Sequence, residues 1–292
     1  MKNVINYYYN LYPQNIYQKE EKYYFYIDKI KYYFVKYTSD IKKANETYAL
    51  NLKMLQMHIY VHSIIINKDE QIITYIKNEP YILMQINTPE YQITIQDIIN
   101  FSQIKIETNT LNWNEIWSIK NDYLEYEINM LGQNHKLIRE SFSYYIGLAE
   151  TAITLAGENK EYCTLTYSHY RMSQNSLDFY NPLNIKYDTK VRDAAEYFKT
   201  KFFNNYDITN ELQTYFNTQK LSVYEYKMFF SRMMYPAYYF DVYEKIIENK
   251  KEDKTLLPII KKNKEYETLL QRIYFYYKSF LKINQIEWLE IS

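Results

Sequence analysis

Three glycines in 292 residues constrain this chain more than any other feature. Glycine lets backbone N–H groups approach a phosphate without a side chain in the way. Gly132, Gly147 and Gly157 all fall in or beside helical patterns. A Walker A loop, a dinucleotide-binding G-x-G-x-x-G turn and the glycine-rich phosphate cover of kinases each need glycines clustered in a way this chain never offers. Nucleotide binding through a glycine-rich loop is therefore excluded by counting.

Lys+Arg and Asp+Glu are 35 each, so the chain has no overall electrostatic footprint for DNA or RNA. Its hydrophobic fraction of 47% argues for a large core, in one domain or two lobes, and against disorder. No apolar run approaches membrane-spanning length; clusters such as Ser63 to Ile66 are strand-sized. The opening MKNVINYYYNLYPQN lacks the apolar stretch of a signal peptide. The lone Cys163 rules out a disulfide framework or a cysteine-based zinc site and fits a cytoplasmic protein. The 38 Tyr go with abundant Asn, Ile and Lys, all read from A/T-rich codons, so a biased genome explains them better than aromatic chemistry. Against that lysine background Arg139, Arg171, Arg192, Arg232 and Arg272 mark places where a planar, bidentate donor is needed.

Lys22 to Tyr26 and Tyr32 to Tyr37 read as strands joined at Asp28-Lys29. Ile41, Ala44, Tyr48, Leu52 and Leu55 recur at helical spacing after the caps Thr38, Ser39 and Asp40, predicting a helix over about 38–57. His62 to Ile66 and Gln71 to Ile76 predict a hairpin turning at 67–70, and Tyr81 to Ile86 a further strand before the break at Asn87-Thr88-Pro89. Helices dominate afterwards: one striped by Ile116, Lys120, Leu124, Ile128 and Leu131, another by Ile138, Phe142, Tyr145, Ala149, Ala152 and Ala156, a third by Val191, Ala194, Ala195, Phe198 and Phe202. Further helices are expected near 208–217, 222–234, 238–249 and 264–282. Glu150, inside the second stripe, is expected to be buried and paired with Arg192 or Arg232.

The segment Cys163 to Lys199 carries the chemistry. A short β-rich run ends in Ser168-His169-Tyr170-Arg171; a loop, Ile185-Lys186-Tyr187-Asp188 and the helix opener Val191-Arg192-Asp193 follow. That order resembles a kinase active site: strand, catalytic loop, metal-binding carboxylate, then a helix tied down by a buried Asp. The third loop position, normally the Asp that positions the nucleophile, is Arg171, which accepts no proton at any useful pH.

Four blocks extend the likeness: Trp117 with Asp122-Tyr123-Leu124-Glu125; Phe142 to Ile153; Tyr187-Asp188 with Arg192 to Tyr197; and Ser231-Arg232-Met233-Met234-Tyr235-Pro236 before Tyr239-Phe240-Asp241. Together they resemble the aminoglycoside-phosphotransferase/choline-kinase-like superfamily, and within it the spore-coat-associated kinase-like proteins of Firmicutes, the CotS and YutH type. The resemblance implies an α+β, bilobal protein-kinase-like fold, with a small antiparallel-sheet N-lobe (1–86) and a large helical C-lobe (87–292). It implies that Lys36 stands where a phosphate-pairing Lys would be, with Glu46 as its partner. His169 matches the structural His of the loop. Ser176 stands where a metal-binding Asn is expected, with Asn175 one position off. Asp188 matches the metal-binding Asp, with Asp178 as a rival, and Asp193 matches the Asp that braces the catalytic loop.

His58 and His62 lack further ligands for a metal, and Cys163 with His169 reads as core, not as a nucleophile pair. The resulting expectation is a degenerate kinase, acting by binding as a component of a spore coat or cell envelope, with protein partners and no cofactor. An active ATP- and Mg²⁺-dependent phosphotransferase acting on a small molecule or a protein, using Asp178 or Asp188, is the alternative. A nucleic-acid module using the aromatics stands third, against the zero net charge. The oligomeric state is left open.

Overall fold

The computed structural model describes residues 1–19, 22–109, 112–131, 134–157, 163–281 and 286–290. Gly132 lies outside them, as does the side chain of Cys163. In chain order the first elements are α1 (Lys2–Tyr9), β1 (Ile16–Lys19), β2 (Lys22–Ile27), β3 (Ile30–Lys36), α2 (Ala44–Gln56), β4 (Ser63–Ile65), β5 (Thr74–Ile76) and β6 (Glu79–Gln85). Next come α3 (Ile95–Ser102), β7 (Lys105–Asn109), α4 (Trp113–Leu131), α5 (Lys136–Gly157), β8 (Cys163–His169), α6 (Ser176–Phe179) and β9 (Ile185–Thr189). The remainder is helical: α7 (Arg192–Phe203), α8 (Thr209–Thr218), α9 (Val223–Met234), α10 (Ala237–Ile247), α11 (Leu257–Ile260), α12 (Asn263–Leu281) and α13 (Glu287–Glu290). Two compact units result, Met1–Thr94 with His169–Lys186, and Ile95–Ser168 with Tyr187–Ser292.

In the first unit six antiparallel strands run in the order β1-β2-β3-β6-β4, with β5 also on β6. With glycine scarce, other residues take the left-handed turns. Asp28 and Lys29 (φ 47° and 71°) join β2 to β3, and Lys77 and Asn78 (49° and 68°) join β5 to β6. Positive φ at both central residues is the two-residue hairpin turn whose twist matches the strands. The expected hairpin of β4 with β5 does not form. Both pair with β6 instead, Thr74–Ile76 with Glu79–Tyr81 and Ser63–Ile65 with Leu83–Gln85. The Lys77-Asn78 turn explains this, because it folds β5 directly back onto β6. The 67–70 turn does exist, held by Asn67, whose side-chain oxygen accepts from the N–H groups of Asp69 and Gln71.

The register puts Phe25, Tyr32, Phe34 and Leu83 on one sheet face, packed with Ile5 of α1. Val35, Ile64, Ile82 and Met84 face the other way and pack with Ala44 at the start of α2. Period-two alternation thus gives a sheet buried on both faces where it is covered by a helix.

In the second unit α5 keeps the expected stripe: Ile138, Phe142, Tyr145, Ala149, Ala152 and Ala156 are all buried. On α4 the buried face is Trp117, Asn121 and Leu124. That is a rotation from the expected stripe, whose Ile116 and Leu131 are 49% and 52% exposed. Glu150 is exposed, so the buried ion pair expected of it is corrected: Arg192 and Arg232 go to Asp188. Among the described residues no helix is long and apolar enough to cross a membrane.

Candidate functional site

The second stretch of the first unit opens at His169, the last residue of β8, which is fully buried. Its ring lies against Phe179 at 4.3 Å and its Nε2 is 2.7 Å from the Phe179 carbonyl. The next two residues are clasped by Asn184. Its carbonyl accepts from Tyr170 N–H, its Oδ1 accepts from Arg171 N–H at 3.0 Å, and its Nδ2 donates to the Arg171 carbonyl at 2.7 Å. One side chain so mimics a strand partner and fixes the loop backbone while the Arg171 side chain is exposed.

Ser176 is fully buried, donating to the Pro89 carbonyl at 2.8 Å and accepting from Tyr91 N–H at 2.9 Å. Asn175 caps α6 by accepting from Leu177 N–H and donates to Glu90. Both are therefore stapled to the 89–91 stretch of the same unit. Asp178 forms a half-exposed ion pair with Lys22 at 3.0 Å. Lys36 pairs with Glu79 on β6, where the β3–β6 register brings it, while Glu46 is exposed in the first turn of α2. The expected Lys36–Glu46 pair is replaced by that cross-strand contact. Beside these elements Tyr26, Lys31, Gln85, Asn87, Glu90 and Leu177 help line a pocket of about 580 Å³.

In the second unit the chemistry converges on Asp188, which is fully buried. Its Oδ1 accepts from Arg232 at 2.7 Å, Trp113 Nε1 at 3.1 Å and its neighbour Thr189 N–H at 2.7 Å; its Oδ2 accepts from Arg192 at 3.1 Å. The indole of Trp113 lies under the Arg232 guanidinium at 4.2 Å. Burial pushes the Arg232 pKa down and the Asp188 charge opposes that shift. Lys199, equally buried, is also pushed down by burial; it bonds the Arg232 carbonyl at 2.9 Å and pairs with Glu196 at 2.8 Å. Asp193 is buried in the first turn of α7 and accepts from Ser168, the residue before His169, at 2.6 Å. Arg192, Lys199 and Arg232 thus share one charge network with Asp188, Asp193 and Glu196, buried at Asp188, Asp193, Lys199 and Arg232. A divalent cation at Oδ1 would have to displace the buried Arg232 guanidinium, and one at Oδ2 would have to compete with Arg192, whose side chain is 15% exposed. Among the described residues no group of three or more His, Cys, Asp or Glu is placed to hold a metal.

The sequence hinted at this network only through the closeness of Asp188, near the end of β9, to Arg192, the first residue of α7. Arg232 and Trp113 come from distant helices, and no local pattern announces them.

A family model described as "Spore coat putative kinase YutH" matches residues 2–273. The chain belongs to this family. Among curated relatives, the endospore coat-associated protein YutH of Bacillus subtilis (strain 168) is 25% identical over 174 residues, 52% of this chain and 51% of that protein. The chain spans about half the length of this curated YutH relative. Among solved structures, an aminoglycoside phosphotransferase from Alicyclobacillus acidocaldarius subsp. acidocaldarius DSM 446 superposes with a TM-score of 0.68 at 8% identity, covering 99% of this chain and 96% of that one. Spectinomycin phosphotransferase in its AMP-bound complex gives 0.60 at 10% identity, covering 88% and 91%. This YutH-family chain therefore has the aminoglycoside phosphotransferase fold, with an antiparallel-sheet N-terminal region and a mostly helical remainder.

Proposed function

We propose that this protein is a kinase-like binding component of the spore coat or another envelope structure that does not transfer phosphoryl groups. The observation that carries the reading is the pairing of Asp188 with Arg192, Arg232 and Trp113. A carboxylate neutralised by two guanidinium groups, one of them fully buried, serves packing and orientation; a metal-binding carboxylate needs an oxygen open to the ion. Three further points support it. Arg171 occupies the base position, on a loop that Asn184 holds in place. Ser176, where a metal ligand is expected, is spent on the backbone of Pro89 and Tyr91. The sequence between β1 and β2 is Glu20-Glu21, two negative charges and no glycine. Coat association is carried over from the name of the Bacillus subtilis relative, and the partners are taken to be proteins.

The fold likeness to the AMP-bound spectinomycin enzyme favours a second reading, an active phosphotransferase. One experiment separates the two. A nucleotide at 100 times its dissociation constant adds about 2.7 kcal/mol of stability. No shift of the melting midpoint with ATP and Mg²⁺, and no ATP turnover with aminoglycosides, choline or casein, is the expected result. Magnesium-dependent turnover lost on Asp188→Ala overturns the proposal.

A further inference from the structure

Helix α4 carries a second apolar stripe that no described residue covers. Ile116, Ile119, Tyr123, Tyr126 and Met130 are 49%, 64%, 51%, 66% and 64% exposed. Their spacing is three, four, three and four residues, the a/d repeat of a coiled-coil seam. At 100° per residue the stripe lies about 150° around the helix from the buried face of Trp117, Asn121 and Leu124. Scattered exposed apolar side chains are ordinary; five in strict register on one helix are an interaction surface.

We infer that this stripe is the seam of a homodimer, in which α4 of one copy packs antiparallel against α4 of a second copy. Charge chooses the orientation and the register. With Ile116, Tyr123 and Met130 at a and Ile119 and Tyr126 at d, Lys120 and Glu127 flank the seam on one side and Glu115, Asp122 and Asn129 on the other. A parallel pairing sets Glu115 beside Lys120 of the second copy but Asp122 beside Glu127, so its attraction is offset by like charges. The antiparallel register that layers Tyr123 on Tyr126 and Ile119 on Met130 sets Lys120 across from Glu127 twice, by symmetry, and Asp122 across from Asn129. Within one copy Lys120 already pairs with Glu244, so Glu127 of the second copy joins an existing half-exposed pair. The alternative antiparallel register, one layer away, puts Lys120 on Lys120 and Asp122 on Asp122. Like charges across an interface are what excludes wrong pairings.

The area is sufficient. Half to two-thirds of each side chain is available, on the order of 550 Å² per copy and about 1,100 Å² for the pair, just above what a specific interface needs. A self-complementary patch on a two-fold axis closes and leaves no seam to propagate. The inference rests on the α4 surface alone and does not depend on whether the protein binds nucleotide.

Sedimentation of the full chain is expected to show a concentration-dependent dimer below about 100 µM. Tyr126→Glu, at an exposed position, should raise the dissociation constant at least about tenfold and leave the thermal midpoint of the dilute protein unchanged. In a Cys163→Ser background, oxidising a mixture of Ile119→Cys and Met130→Cys chains should give mixed disulfide dimers, while Ile119→Cys alone should give none. Cross-linking of Ile119→Cys to itself refutes the antiparallel register. A chain that stays monomeric to about 200 µM, or a Tyr126→Glu variant that dimerises like the parent, refutes the homodimer and assigns the stripe to a helix of another protein.

Discussion

Neutralising Asp188 is the most demanding test of the buried network. Asp188→Asn keeps the shape and one acceptor, but turns an amide N–H₂ towards a guanidinium. Arg232, whose side chain is 2% exposed, then has no counter-charge within direct reach, and Arg192, at 15%, loses its i, i+4 partner. Breaking one side of a buried ion pair costs about 3–5 kcal/mol. Asp188→Ala further removes the acceptor of Trp113 Nε1 and Thr189 N–H, each a donor worth about 1–3 kcal/mol when stranded, although these costs overlap. The expected losses are about 3 kcal/mol for Asn and about 4–5 kcal/mol for Ala. Urea unfolding followed by tryptophan fluorescence reads this directly, since Trp113 and Trp117 stand at the cluster, their rings 5.6 Å apart. Removing the stranded cation as well, in Asp188→Asn with Arg232→Met, should recover part of the loss, giving a coupling of about 1–3 kcal/mol. Glu150→Ala is the internal control and should stay within about 0.5 kcal/mol, because Glu150 is exposed. An Asp188→Asn midpoint equal to that of the parent, or a stabilisation of the parent by Mg²⁺ that Asp188→Asn abolishes, would falsify the structural role given to this carboxylate.

His62 is fully buried, its Nε2 bonded to the Leu177 carbonyl and its Nδ1 facing Asn87 N–H, and burial lowers its pKa to about 4. The unfolded chain takes up the proton near pH 6.5 and the folded one does not. Stability should therefore fall by about 3 kcal/mol between pH 6.5 and 4, a slope that His62→Gln flattens in denaturant melts across that range. Asp193→Ala should cost about 1–3 kcal/mol and Ser168→Ala about 1 kcal/mol, because they form one buried bond; additive losses in the double variant would contradict that. Gly147 sits exposed inside α5 with nothing within 4 Å of the place a Cβ would take, so Gly147→Ala should raise the thermal midpoint by the equivalent of about 0.5–1 kcal/mol.

Much of the architecture is legible in the sequence because some elements leave a single solution. The α5 stripe repeats cleanly along the whole helix, and burial of every residue in it follows from the period alone. On α4 the same reasoning picks the wrong face because Ile and Tyr stand on both sides of the helix, so the stripe buried in the unit competes with a second one of equal strength. The β4–β5 hairpin fails for a related reason: a turn at 67–70 exists, but the Lys77-Asn78 turn, without glycine, gives no sequence cue that it folds β5 onto β6. Elements α1, β1, α3 and β7 are short or close to turn-rich stretches, and tertiary packing, not local pattern, decides them. At the site, the order of residues along the chain points to His169, Asp188 and Asp193, all of which are buried. It does not reveal the partners of Asp188, because Arg232 and Trp113 are brought to it by helices separated by more than forty residues.

The discontinuity of the first unit has a consequence for synthesis on the ribosome. The sheet is complete in sequence by β6, but the backbone groups of Leu177 and Tyr180 that engage His62 belong to the segment 169–186. Roughly ninety residues separate the end of the first stretch from the end of that segment, a delay of about 5–18 s at bacterial elongation rates. During that interval the nascent sheet stands with His62 lacking its Leu177 and Tyr180 partners and with the Pro89 carbonyl and Tyr91 N–H still waiting for Ser176. Nascent chains arrested before residue 169 should therefore be cut readily in residues 60–91 by a protease that leaves the finished protein intact.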